Sequence, residues 1–150
     1  MIQGKWFAPG QDLSEEVLPV RADIFGTSSW EATDPEGWNA LVYSDGQPVA
    51  TGRIWWQNDA FWLEYIGVLG DYRGQRIGDL VLRLLLFKAQ SHAAREVRLI
   101  CPEETEGFFS RLGFKSVCRK NGASEMMIPG SRISLDSCAA CTKQNCPNRK

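Results

Sequence analysis

The chain has 150 residues, a formal net charge of -1, and 43% hydrophobic against 23% charged residues. That is enough for one domain with one real core, and the balanced charge excludes the basic excess or basic stripe of a nucleic-acid surface. The densest apolar run, Val81 to Phe87, is far short of a membrane span and is broken by Arg83, so a cytoplasmic protein with neither membrane nor nucleic-acid partners is expected.

In chain order, Ile2 to Ala8 reads as a first strand closed by Pro9-Gly10. Asp12 or Ser14 is placed to cap a helix with Glu15 and Glu16 in its first turn, running to Phe25 or Gly26. Pro19 marks either a kink in that helix or a later start. Residues 27–37 are rich in Ser, Thr, Asp, Pro and Gly, carry no periodicity and read as a loop. From Trp38 the period becomes two. Trp38 to Tyr43 and Val49 to Trp56 are strands joined through Asp45-Gly46, a strong hairpin signal. A second turn at Gln57-Asn58-Asp59 leads into a strand from Phe61 to Leu69, which completes an antiparallel meander.

A polar loop, Gly70 to Gly78, then precedes a long helix. In it Ile77, Leu80, Val81, Leu84 and Leu85 fall at helical spacing and predict the buried stripe. The strand Glu96 to Cys101 must run parallel to its neighbour if this helix is a crossover. A helix opening with Glu103, Glu104 and Glu106 ends at Gly113. Two final strands, Phe114 to Arg119 and Ser124 to Ile128, are joined through Asn121-Gly122. The order makes a mixed α/β (α+β) chain with a mostly antiparallel central sheet of six to seven strands and three to four helices.

The loop before the long helix carries the chemistry. A strand running into a helix through Arg73-Gly74-Gln75-Arg76-Ile77-Gly78 aims free backbone N–H groups and the positive end of the helix dipole at one point, a seat for phosphate. Three stretches, Leu63-Glu64-Tyr65-Ile66-Gly67-Val68, Tyr72-Arg73-Gly74-Gln75-Arg76-Ile77-Gly78 and Gly107-Phe108-Phe109-Ser110-Arg111-Leu112-Gly113-Phe114, resemble the GNAT superfamily of acetyl-CoA-dependent N-acetyltransferases. The resemblance covers roughly Trp38 to Ile128. It implies a cleft between the fourth and fifth strands, residues 1–130 as the acyltransferase domain, and residues 131–150 as a cysteine-containing tail.

By that resemblance acetyl-CoA is the co-substrate. Its pyrophosphate lies on Arg73, Gly74, Gln75, Arg76, Ile77 and Gly78, and its pantetheine arm lies along the main chain of Ile66, Gly67 and Val68. Gly67 is the expected bulge residue, and the Val68 amide faces the thioester oxygen. Arg76 stands where the family carries a glycine and is compatible if its φ is negative. Glu64 is the candidate general base, its apolar neighbours implying burial, with an outward strand glutamate as the alternative. Phe109 replaces the family's proton-donating tyrosine and keeps only the ring that packs on CoA. Either the thiolate then leaves without help from the enzyme, or Ser110, Tyr65 or Tyr72 is the substitute donor, or else the protein is a catalytically weak acyl-CoA-binding or metal- or redox-sensing module. Phe108 and Leu112 read as core. The acceptor is a primary amine of a small molecule or peptide, and Trp30, Trp55 and Trp56 fall on elements that flank it in this fold, with simple core and edge packing as the other reading of these tryptophans. A homodimer is compatible with all of this.

The tail holds Cys138, Cys141 and Cys146. Their spacing is similar to half of a zinc or iron-sulfur ligand set, with Cys118 or Cys101 as a further ligand; disulfide pairing and mobile thiols are the other readings. His92, the one histidine, reads as a surface residue at the end of the long helix.

Overall fold

A computed structural model of the chain describes residues 1–26, 37–57 and 59–134. The elements follow the order β1 (Ile2–Phe7), α1 (Val17–Phe25), β2 (Trp38–Ser44), β3 (Gln47–Gln57), β4 (Ala60–Val68), α2 (Ile77–Ser91), β5 (Glu96–Pro102), α3 (Glu106–Ser110), β6 (Lys115–Lys120) and β7 (Ala123–Pro129). The strands form one sheet in the order β1-β2-β3-β4-β5-β7-β6. Every neighbouring pair is antiparallel except β4 and β5, which are joined by the α2 crossover and run parallel.

Turn chemistry fixes the registers. Asp45 and Gly46 have φ of 51° and 82°, and Asn121 and Gly122 have 55° and 81°. These are the paired positive angles of two-residue hairpins whose twist matches the strands they join. The pairs Ser44↔Gln47 and Lys120↔Ala123 close directly on those turns.

Two helices cover opposite faces of the sheet. Alternation on β2 sends Leu41 to the face of α1, where it packs with Phe7, Leu13, Val17 and Val20, and sends Ala40 and Val42 to the face of α2. The buried residues of α2 are Ile77, Val81, Leu82, Leu85, Leu86 and Ala89. The stripe is therefore rotated from the expected one, with Leu80 and Leu84 only half-buried. The helix is covered along a second flank that includes Leu82 and Leu86. At about 1.5–3 kcal/mol for each fully buried aliphatic side chain, this contact is the main apolar anchor of the sheet. It requires Gly52, because a Cβ there would lie 2.8 Å from Val81 Cγ1 and 2.9 Å from Leu85 Cδ1.

Helix α1 begins later than its first candidate caps. Asp12 Oδ1 accepts from the Ser14 amide at 2.9 Å and its hydroxyl at 2.8 Å, a local turn that precedes the helix. Glu15 and Glu16 therefore lie before the first turn, and Pro19 occupies its third residue, where a missing N–H costs no helical bond. Glu16 instead ties the helix to the sheet. Tyr43 donates to Glu16 Oε1 at 2.5 Å and Lys5 to Oε2 at 2.9 Å. Burial and this bond push the Tyr43 phenol up to about 12, while the Tyr43 and Lys5 bonds hold the Glu16 carboxyl below its ordinary value.

Candidate active site: a slot between two parallel strands

The parallel seam is short. Phe61 pairs with Val97, Trp62 with Arg98 and Leu63 with Leu99, and beyond these β4 and β5 part. The cause lies on β4. Opposite β3, Thr51 pairs with Gly67 but Arg53 with Glu64, so β4 holds one more residue than its partner. The residue that turns is Tyr65, with φ of 54°. Gly67, the expected bulge residue, serves a different end: a Cβ there would lie 2.6 Å from Ile24 Cγ2 and 2.8 Å from Phe25 Cζ. Glycine at this position lets the end of α1 close onto the strand.

The bulge changes which way side chains point. Glu64 and Tyr65 lie next to each other on the α1 side, where Arg53 contacts Glu64 and the Tyr65 ring packs on Phe25 at 5.5 Å between centroids. Ile66 and Val68 pack against the core of the α2 side. The Leu69 amide donates to Val49 O on β3 at 2.8 Å, so alternation turns the main-chain groups of Val68 and Ile66 the other way, into the gap left by β5. Arg73 Nε donates to Val68 O at 3.2 Å.

That gap is a cavity of about 710 Å³ passing between the strands. Phe25, Tyr65 and Ile100 line its α1 end, Val68, Cys101, Phe108 and Phe109 its α2 end, and Pro102 and Thr105 its rim. A second cavity of about 330 Å³ adjoins it, lined by Tyr72, Arg73, Gly74, Arg76, Ile77, Gly78 and Arg111, and the two share Val68, Arg73, Gly78 and Phe108. The amides of Gly74 to Asp79 find no backbone acceptor among the described residues; the first helical bond is Leu80 N to Arg76 O. A helix N-terminus with free N–H groups and three exposed arginines, Arg73, Arg76 and Arg111, has the make-up of an anion seat, and the slot runs from it through the sheet.

Arg76 departs from expectation. Its φ is 64° and it caps α2 in the left-handed region, so the position has the backbone of the glycine it replaces, which costs an L-residue about 1–2 kcal/mol. Gly74 is also left-handed, at 83°. Gln75 is exposed beside them. Phe109 is buried and stacks edge-on between Phe108 and Phe114. Phe108, read from sequence as core, lines both cavities, and Arg111 lies over its ring at 5.5 Å. Leu112 packs against the core as expected.

Glu64 does not sit in an apolar pocket. Its side chain is 41% exposed, and its carboxylate meets Arg53, which is 1% exposed. A second buried guanidinium, Arg21, donates to Asn39 Oδ1 at 2.8 Å and stacks 4.2 Å from the Tyr65 ring centroid, while Arg53 lies 5.2 Å from the same ring. Sequence reading passed over both arginines. For Arg53 there was a signal: counting back from the turn at 57–59 pairs Trp56 with Phe61, Trp55 with Trp62 and Arg53 with Glu64.

Tyr65 and Tyr72 line the slot and the anion seat respectively, whereas Ser110 turns its hydroxyl to Glu106 O at 2.9 Å. Burial pushes the Cys101 thiol up. Trp55 shares the face of Arg53, but Trp56 faces the other way, 52% exposed against Phe61. His92 caps α2 and is exposed. Trp30 and the tail cysteines Cys138, Cys141 and Cys146 lie outside the described residues. Among the described residues no group of His, Cys, Asp and Glu is arranged to hold a metal, and no helix is long and apolar enough to cross a membrane. Cys101 is buried and Cys118 exposed.

Residues 5–114 match the profile of the acetyltransferase (GNAT) family. The chain belongs to that family. Solved GNAT-like structures share its fold at low identity. Escherichia coli ElaA is 18% identical with a TM-score of 0.73, covering 85% of this chain and 99% of its own. The ribosomal-protein-S18-alanine N-acetyltransferase of Escherichia coli is 16% identical with a TM-score of 0.68, covering 86% and 94%. A GNAT family acetyltransferase from Elizabethkingia anophelis with acetyl-CoA bound is 14% identical with a TM-score of 0.65, covering 85% and 97%. No curated protein matches the chain in sequence.

Proposed function

We propose that this GNAT protein moves an acetyl group from acetyl-CoA to a primary amine by direct attack in a ternary complex. The observation that carries the reading is the continuity of the anion seat with a slot that passes between β4 and β5. A donor with a pyrophosphate at one end and a narrow arm at the other fits that shape. The free amides of residues 74–78, with Arg73 and Arg76, hold the pyrophosphate. The outward main-chain groups of Ile66 and Val68 pair with the arm, and the Val68 N–H stabilises the charge that develops on the thioester oxygen.

An alkyl ammonium with pKa about 10 must lose a proton before it attacks. Glu64, at the α1 end of the slot, takes it directly or through a water. The neutral nitrogen then bonds to the acetyl carbon, the carbon–sulfur bond breaks, and the proton that the nitrogen sheds as the amide forms passes through water to the departing thiolate or to solvent. Phe109 has no proton to return; of the hydroxyls lining the cavities Thr105 donates to Pro102 O at 2.8 Å, which leaves Tyr65 and Tyr72. A cytoplasmic protein of one acyltransferase domain, residues 1–130, followed by a cysteine-bearing tail, fits this reading.

The same phenylalanine supports a second reading, an acyl-CoA-binding module with little turnover. Thiol release from acetyl-CoA across a panel of primary amines, run beside calorimetric CoA binding, decides between them. Turnover supports the enzyme; clear binding with no turnover overturns it.

A further inference from the structure

Building on the transferase reading, we infer that the acceptor is a small monoamine with an apolar body, entering at the α1 end of the slot. Large apolar side chains left in water are few on the described surface, and two of them, Phe25 at 41% and Ile100 at 64% exposure, border this one opening. Beside them is a notch of about 200 Å³ formed by Trp62, Leu63, Glu64, Tyr65 and Ile100. An apolar body seated there covers Ile100 and the aromatic walls while its nitrogen reaches Glu64.

Charge on the same face argues against a polycation. Glu64 is the one carboxylate among the described residues lining the slot or the notch, and it already faces Arg53. The next carboxylates along the sheet, Glu96 and Glu125, both grip Arg98, the latter at 2.5 Å. Polyamines and aminoglycosides carry several ammonium groups that need several carboxylates, and among the described residues that line the slot and the notch Glu64 stands alone. One amine and one apolar contact surface match what is present.

The test compares kcat/KM for 2-phenylethylamine, ethylamine, spermidine, kanamycin and an unblocked tetrapeptide, with acetyl-CoA saturating, in the unaltered protein and in Ile100→Asp. The exposed position of Ile100 makes that variant safe for folding. The expected result is a preference for 2-phenylethylamine over ethylamine and spermidine of about 10–100-fold. In Ile100→Asp that preference falls at least tenfold while KM for acetyl-CoA changes less than about twofold. Best turnover with spermidine, kanamycin or the tetrapeptide overturns the acceptor class and leaves the transferase standing. So does an unchanged preference in Ile100→Asp. No turnover with any amine, alongside intact CoA binding, overturns the transferase and this inference with it.

Discussion

Arg53 and Glu64 face each other across β3 and β4, a fully buried guanidinium against a half-exposed carboxylate. The pair fixes Glu64, the base of the proposed reaction, at the slot and gives a buried charge one of its partners. Glu64→Gln removes both services. The expected stability loss is about 1–2 kcal/mol, below the 3–5 kcal/mol of a fully buried pair because solvent screens Glu64. The expected loss in kcat is about 100-fold or more, largest at low pH where the amine is hardest to deprotonate. Chemical denaturation and a pH–rate profile read the two effects separately, and an unaltered profile removes Glu64 from the role of base.

At Arg76 conformation and charge pull in opposite directions. Arg76→Gly relieves the left-handed backbone, set against the greater freedom of glycine in the unfolded chain, and should gain about 0.5–1 kcal/mol. Arg76→Ala keeps the strain. Both lose the cation at the anion seat, so both should raise Kd for CoA several-fold, while only the glycine variant melts higher. Thermal melting and CoA titration of the two variants check this.

Gly78 is tight in function rather than in packing. A Cβ there meets Phe108 Cζ at 3.5 Å and Val68 Cγ2 at 3.6 Å, ordinary contacts. Gly78→Ala should fold normally and bind CoA with modest loss. Gly78→Glu should also fold, yet bring a carboxylate to the phosphate path and abolish binding. Normal affinity in the glutamate variant would mean that the phosphate lies elsewhere.

The anchor between α1 and the sheet is sensitive to pH at both ends. Tyr43 is raised from 10.0 to about 12, so its contribution is complete below pH 10 and is lost as pH rises toward 12. Glu16 is held below its ordinary 4.5, so its contribution is present above that value and is lost as pH falls through the lowered one. Tyr43→Phe should flatten the alkaline limb and weaken the acid limb of denaturation midpoint against pH.

What sequence revealed, and what it hid, follows from how each residue announces its backbone. Asp45-Gly46 and Asn121-Gly122 are chemically suited to positive φ, and both hairpins fall where they were read. Tyr65 and Arg76 also take positive φ, yet neither residue type signals it. The bulge was therefore placed two residues late, and Arg76 was expected on the wrong side of the φ map. Arg21 and Arg53 were passed over in the sequence, because burial of a guanidinium depends on partners from other elements. The anion seat was legible because its parts are contiguous from Arg73 to Gly78. The proposed acceptor face was not, being assembled from α1, β3, β4 and β5.

The parallel seam of Phe61, Trp62 and Leu63 against Val97, Leu99 and their neighbour joins two halves of the sheet that are otherwise each antiparallel. Past Leu63 that sheet lacks a strand, and on the proposed reading a narrow ligand arm lying there would take up main-chain hydrogen bonds of which the chain itself supplies the one from Arg73 Nε to Val68 O. The proposed donor would then be a structural part as well as a reactant. At 100 times its Kd it adds about 2.7 kcal/mol by mass action, and the amides of Ile66 and Val68 should be among the slowest-exchanging gains when it binds. On that reading the sheet would still be held closed by a product after thiol release, so the departure of CoA, rather than the attack of the amine, would be the natural place for turnover to be limited.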